Sequence, residues 1–367
     1  MCEPIYAYQR EKGERFVEKI SGKNPVFVCV IATTETAKIP GISAAGKYPE
    51  LTDYTPPADV ELLFYGKCKC ISGVPVTPEG IPTPAIITMT ALRLAEVPVF
   101  VVSGGLKVKP QTPFIDLGGK PGMDIRTGRT VENVEEVFEK AKLLGENLAK
   151  TSDYLVVGES IPGGTTTCLG VLLAMGYDAR GKVSSSMSRN PHNLKVRVVE
   201  EGFKKAGIGF GALKDEPFKA VAMVGDPMMP ALAGLVFGAA KEKPVLMAGG
   251  TQMTAILAIL KRLNPNVLGE NVAIGTTRWI VQDKTSSLVG LVSQIAETPI
   301  IAANLDFSFS RYEGLKAYEE GVVKEGVGAG GMSVASVLKL KGKLTWKTLA
   351  EKIEENYEKL VKGVEAE

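Results

Sequence analysis

The sequence holds one histidine, His192, among 367 residues. That excludes a multi-histidine metal site and leaves a single imidazole as a candidate general base. Cysteine is sparse too: Cys2, Cys29, Cys68, Cys70 and Cys168. Cys68-Lys69-Cys70 is too closely spaced for a zinc knuckle, and no second Cys/His pair accompanies it, so no metal site and no cofactor are expected. Scattered, odd-numbered thiols fit a reducing compartment. No run approaches the roughly 18 apolar residues of a membrane span, and the N-terminus has no apolar targeting core. We expect a cytoplasmic protein with no membrane partner. Neither sign of charge dominates: 43 Lys plus Arg against 41 Asp plus Glu leave a net charge of +2, so nothing electrostatic favours nucleic acid. A hydrophobic share of 45% and a charged share of 23% exclude bulk disorder.

What the chain has is short apolar runs and glycine. Runs at Val26–Ile31, Glu61–Tyr65, Pro98–Val102, Tyr154–Val157, Ala220–Val224, Pro244–Ala248, Val272–Ile274 and Pro299–Asn304 are mostly unbroken rather than alternating. They read as strands buried on both faces, the pattern of a mostly parallel sheet covered by helices. Helical stretches lie between them: Val131–Lys150, Pro230–Lys241, Gln252–Leu263, and Trp346–Lys362 behind a Thr345 N-cap. The expected fold is a three-layer, doubly wound, Rossmann-like α/β domain over residues 1–367. Its core spans about 20–340, and a C-terminal helix at 345–363 belongs to a small helical subdomain formed by the chain termini. Two segments, Pro40–Pro57 and Val183–Asn193, read as long irregular loops, which in such folds are often functional.

Ligands of such sheets sit beyond the carboxyl ends of the strands. There the glycines collect in four turns. Gly158-Glu159-Ser160-Ile161-Pro162-Gly163-Gly164-Thr165-Thr166-Thr167 leads from a strand into the helix Cys168–Met175. Its N–H groups and hydroxyls suit a phosphate, or it is simply a Thr-capped turn. It is not a Walker motif, since no Lys follows the glycines. Lys324-Glu325-Gly326-Val327-Gly328-Ala329-Gly330-Gly331 sets one carboxylate among small residues. A ligand pressed against it would make it a base by desolvation; a solvated turn is the plainer reading. Asp226, after Val224-Gly225, either orients a ribose hydroxyl or caps a helix, and Gly249-Gly250 ends the next strand. Lys195 reaches the first turn only if the fold brings it there. His192 reads as a surface histidine, and Cys29 and Cys168 as small core residues.

Taken in order, these turns resemble the nicotinate-nucleotide–dimethylbenzimidazole phosphoribosyltransferase family, in its divergent archaeal-type form. The family's Gly-Glu … Asn-Thr-Thr turn is similar to Gly158-Glu159 … Gly164-Thr165-Thr166. Its Val-Gly-Gly-Phe-Asp-Ile turn has Val224-Gly225-Asp226-Pro227 in its place. Its Pro-Val-Leu-Leu-Asp-Gly strand resembles Pro244–Gly249, and its Leu-Gly-Glu-Gly-Thr-Gly-Ala turn resembles Val323–Ala329. Pro84–Leu106 looks like the family's helix-then-strand segment. The resemblance covers residues 80–340 in patches. It implies transfer of phosphoribose from nicotinate mononucleotide to a benzimidazole-type base, giving an α-ribazole 5′-phosphate and nicotinate in cobamide lower-ligand synthesis. It further implies Glu325 as the base and Glu159 as a second carboxylate. Gly163, Gly164, Thr165, Thr166, Lys195, Gly326 and Gly328 would hold the phosphate and nucleotide, with Asp226, Gly249 and Gly250 at the ribose or pocket wall, and the chain would form a homodimer. Three departures bear on the acceptor. Gly164 replaces the family's Asn, Ile274–Lys284 lacks the Ser-Ala-Glu-Pro-Gly-His pattern, and the first 80 residues lack the Pro-rich signature. An enzyme using another acceptor such as a purine, or a non-catalytic nucleotide binder, stays open.

Overall fold

Six of the eight apolar runs are strands of one sheet in the computed structural model, which describes residues 3–46 and 48–361. The strands are β1 (Ile5–Tyr8), β2 (Pro25–Ala32), β3 (Val99–Gly105), β4 (Ile115–Asp116), β5 (Tyr154–Ser160), β6 (Val245–Ala248), β7 (Val272–Thr277) and β8 (Ile300–Ala303). Their order is β1-β8-β7-β6-β5-β2-β3-β4. All neighbours run parallel except β1, which pairs antiparallel with β8. The chain winds outward in one direction from β2 and in the other from β5, so the topological switch point lies between those two strands. Along β2, Val26, Val28 and Val30 enter one core, and Phe27, Cys29 and Ile31 the other. Burial on both faces is why the run shows no polar alternation.

The helices are α1 (Arg10–Ile20), α2 (Thr55–Tyr65), α3 (Ala85–Ala95), α4 (Val134–Leu148), α5 (Gly164–Ala174), α6 (His192–Ala206), α7 (Pro217–Val224), α8 (Met228–Ala239), α9 (Met253–Leu263), α10 (Arg278–Gln282), α11 (Leu288–Ile295), α12 (Glu313–Lys316), α13 (Ala329–Lys339) and α14 (Trp346–Val361). Helices α4 to α9 and α11 cover one face. Helices α1, α2, α3, α13 and α14 cover the other. The three-layer, mostly parallel arrangement follows. The termini meet where the Trp346 indole N–H donates to the Glu3 carbonyl, 3.0 Å away. Thr345 caps α14, accepting from the Thr348 N–H at 3.1 Å. The last residues expected of that helix, 362 and 363, lie outside the described residues, as does Cys2.

Two expected strands are helices. Glu61–Tyr65 ends α2, and Ala220–Val224 ends α7. Helix α2 is buried nearly all round and α7 buries Ala220, Val221 and Val224, so their apolar runs look like those of a covered strand. The prolines in their first turns, Pro56-Pro57 and Pro217, mark helix starts instead. The turn at Asp226 therefore joins two helices, not a strand and a helix. The expected loop Pro40–Pro57 also contains a short 3-10 turn, Pro49–Asp53, and the start of α2.

Helices α4 and α8 touch through glycine. A Cβ at Gly145 would lie 2.3 Å from the Leu235 carbonyl oxygen, one at Gly234 2.3 Å from that of Phe138, and one at Gly238 2.1 Å from that of Lys142. Backbone cannot yield as a side-chain tip can. Overpacking of this kind costs about 1–3 kcal/mol. Gly238→Ala is expected to lower the urea midpoint accordingly; an unchanged midpoint would show that the two helices separate freely.

Candidate functional site

A cleft opens over the carboxyl ends of β5 and β6, beside the switch point. Three of the four glycine turns reach its wall: Gly163, Gly164 and Thr165, then Gly250, then Glu325 and Gly326. Glu159 lines it as well. The turns interlock. A Cβ on Gly250 would stand 3.8 Å from that of Glu325, and one on Gly164 would meet the Gln252 amide nitrogen at 2.8 Å.

One side of the cleft is built for an anion. Gly163, at φ 81, turns β5 into α5, whose first-turn N–H groups carry the positive end of the helix dipole. Thr165 is partly open to the cleft, while Thr166 is buried with its hydroxyl unpartnered. Beneath them lies Lys195, fully buried on α6. Its ammonium donates to the Thr165 hydroxyl at 2.6 Å and to the Ser184 carbonyl at 2.5 Å. Among the described residues, no carboxylate pairs with it in an ion pair. Burial pushes its pKa down to about 7, with Cys168 opposing and Lys324 adding to the fall. Ser184, Ser185 and Ser186, from the second expected loop, complete this wall.

The other side gathers acids. Glu325 sits on a backbone that side chains rarely adopt: Val323, Lys324 and Val327 have φ of 66°, 57° and 54°. The Lys324 and Glu325 N–H groups donate two residues back, to Val322 and Val323, in successive positive-φ γ-turns. Such positions persist only when surroundings over-determine them. Here the Thr277 hydroxyl donates to the Lys324 carbonyl at 2.6 Å, the Thr88 hydroxyl to that of Val327 at 2.9 Å, and the Val327 N–H to the Glu159 carbonyl at 2.9 Å. The Lys324 ammonium is tied to Asp283 at 3.1 Å. Burial tends to raise the Asp283 carboxyl, but hydrogen bonds from Thr285, Ser286 and Asn190 outweigh it and hold it well below its ordinary value.

The Glu325 carboxylate accepts from the Gly326 and Gly330 N–H groups at 3.2 and 3.0 Å and from the Thr276 hydroxyl at 3.3 Å. Burial lifts its pKa to about 7 against those bonds. Glu159 rises to about 8, through burial first and then the charges of Asp226 and Glu325. A third acid, Asp59 on α2, lines the same cleft and rises to about 7 by burial. A carboxyl near neutrality in a cleft is suited to general acid–base work.

Besides Lys195, four sequence candidates stand back from the wall. Thr166 and Gly249 are buried behind it. Gly328 makes room for Phe27: a Cβ there would come within 2.8 Å of the ring. Asp226 is a cap, accepting from the Met228 and Met229 N–H groups at 3.0 and 3.3 Å and from the Thr167 hydroxyl at 2.5 Å. It holds α8 to the start of α5. His192 opens α6 with its Nε2 at 2.5 Å from the Thr285 carbonyl oxygen. Sequence reasoning missed Asp59, Ser160, Thr83 and Gln252. Asp59 had a readable signal, a lone acid between Pro56-Pro57-Ala58 and Val60, once that segment is taken as a buried helix.

Residues 96–275 match the family model described as phosphoribosyltransferase. A UPF0284 protein of Sulfolobus acidocaldarius is 47% identical over 352 residues, 94% of this chain and 99% of that relative. One of Pyrococcus furiosus is 47% identical over 92% of this chain and 99% of its own length. The chain belongs to the UPF0284 family of archaeal proteins. Among solved structures, a nicotinate-nucleotide-dimethylbenzimidazole phosphoribosyltransferase of Thermus thermophilus superposes with a TM-score of 0.56 at 16% identity, covering 90% of this chain and 89% of that one. CobT of the same organism gives 0.57 at 17% identity, covering 90% of each chain. The family resemblance carried by the four turns holds, and the fold is shared. No helix among the described residues is long and apolar enough to cross a membrane.

Glu159 gives a test of these electrostatics. Its folded pKa lies above the ordinary carboxylate value, so from about pH 4.5 to about 8 the folded state keeps a proton that the unfolded state has lost. Stability from this group therefore falls as pH rises through that window. Glu159→Gln is expected to exceed the wild type in urea stability at pH 8.5 by more than about 1 kcal/mol, and to match it near pH 4. Equal stabilities at pH 8.5 would refute the buried, raised carboxyl.

Proposed function

We propose that this phosphoribosyltransferase-family chain moves phosphoribose from nicotinate mononucleotide to a ring nitrogen of a benzimidazole-type base, releasing nicotinate and an α-ribazole 5′-phosphate. One observation carries the reading: an anion cradle and a base of pKa about 7, some 160 positions apart in sequence, line one cleft beside the switch point. The neighbouring fold's name, a nicotinate-nucleotide-dimethylbenzimidazole phosphoribosyltransferase, supports the substrate pair.

The nucleotide's phosphate lies on the α5 N-terminus, where it gives Lys195 the counter-charge it lacks. Held there, the ribose presents C1′ to the acid side. Breaking the C1′–pyridinium bond returns its electron pair to nicotinate, which leaves as a neutral ring nitrogen. The acceptor nitrogen forms the new bond from the opposite face, inverting the centre, and its N–H proton passes to Glu325. Glu159, held mostly protonated by burial first and by the charges of Asp226 and Glu325 second, lets Glu325 carry the negative charge. Positioning and one base suffice for such a step.

Purified protein incubated with nicotinate mononucleotide and a panel of benzimidazoles and adenine is expected to liberate nicotinate, read by mass spectrometry. No nicotinate with any base would remove the reading. Glu325→Gln is expected to lower turnover about 10²–10⁴-fold at nearly constant nucleotide affinity; full turnover would take Glu325 out of the mechanism. Thr165→Glu sets a negative charge in the cradle and is expected to abolish nucleotide binding, measured by calorimetry.

A further inference from the structure

Asp59 takes no part in the mechanism above, yet it is a nearly fully buried carboxyl on the wall of the cleft. Its two oxygens are each held by one hydroxyl: Thr83 donates to Oδ1 at 2.7 Å and Ser160 to Oδ2 at 2.7 Å. Among the described residues, no lysine or arginine pairs with it in an ion pair. Each carboxylate oxygen accepts about two hydrogen bonds, so capacity remains on both.

The surroundings say what fills it. Thr83 belongs to an apolar wall with Val76, Ile81, Pro82 and Pro84. That wall runs from Asp59 to the Glu325 turn, for a Cβ on Gly326 would touch Pro84 at 3.2 Å. The phosphate cradle is formed separately, by the start of α5 with Lys195 against Thr165. A flat heteroaromatic base on this wall has the Glu325 carboxylate at one end and the Asp59 carboxyl at the other. A base edged only with methyl groups would leave a buried carboxylate under-bonded, which is costly.

We infer that Asp59 is a specificity residue for the acceptor, selecting a heteroaromatic base that carries an exocyclic hydrogen-bond donor, an amino or hydroxyl group, on the edge remote from the attacking nitrogen. The inference rests on the transfer reaction proposed above. The donor gives its hydrogen to an Asp59 oxygen, and this fixes which ring nitrogen faces Glu325. Sites built around a buried acceptor reject ligands without the matching donor far more strongly than apolar pockets reject an extra methyl.

The test uses the full-length protein with nicotinate mononucleotide and four bases: benzimidazole, 5-aminobenzimidazole, 5-hydroxybenzimidazole and 5,6-dimethylbenzimidazole. In the wild type, kcat/KM from nicotinate release is expected to favour the amino and hydroxy bases over the dimethyl base by at least about 10-fold. Asp59→Asn and Asp59→Leu are expected to shrink that ratio to within about threefold, a change that a purely structural role would not produce. A wild-type preference for the dimethyl base overturns the inference, whether or not the variants fold. So does a variant in which all four bases, or the affinity for the nucleotide itself, fall together, since Asp59 would then serve the ribose or the fold. If no base releases nicotinate, the transfer reaction fails, and calorimetric binding of the four bases decides Asp59 alone: tighter binding of the donor-bearing pair sustains it and equal binding ends it.

Discussion

Everything at the mouth of the cleft depends on how closely the start of α13 lies on the sheet. A Cβ on Gly330 would fall 2.0 Å from the Thr276 carbonyl carbon, and one on Gly331 2.4 Å from the Ala248 Cβ. A Cβ on Gly158 in β5 would meet Gly328 at 2.9 Å. These contacts leave no space for any side chain. They bring a helix N-terminus down onto three strand ends at once, so the segment feeding it must turn sharply just above β5 and β6. That turn is where Glu325 sits. The left-handed backbone at Val323, Lys324 and Val327 is the cost of reaching this place, at about 1–3 kcal/mol for each such residue. Bonds from Thr277, Thr88 and the Val327 N–H hold it there.

The same closeness sets the charge balance. With the floor sealed by glycine and backbone, the acids that face the cleft are poorly hydrated. Asp59, Glu159 and Glu325 shift toward neutrality for want of water, not through any one neighbour. Lys195 on the opposite side shifts the other way for the same reason. The cleft thus sets acids raised by burial against a lysine lowered by it.

The sheet was legible in the sequence because a strand covered on both faces leaves an unbroken apolar run, and six runs kept that promise. The two that did not, in α2 and α7, failed because a short apolar stretch of a packed helix writes the same pattern. The same confusion hid Asp59, which falls between the expected loop Pro40–Pro57 and the expected strand Glu61–Tyr65, where nothing marked a buried helix. Glu325 and the Gly163–Thr165 turn were readable because glycine spacing survives where little else does. Gly328 is a different lesson: it matters for the room it leaves Phe27. Nothing local could have revealed Lys195 as buried, because that depends on α5 and the serine segment closing over α6. Asp226 could be read from sequence either as orienting a ribose hydroxyl or as a cap, and it caps.

Ile5 pairs with Ala302, and the Trp346 indole reaches back to Glu3. The first strand of the chain therefore has no partner until nearly all of the rest exists. As the chain leaves the ribosome, β2 and β3 can pair early, but β1 must wait for β8 and then run against the direction of every other strand. Contacts of such long sequence separation form late and slowly. This edge of the sheet is thus sealed late, by a segment made long before its partner.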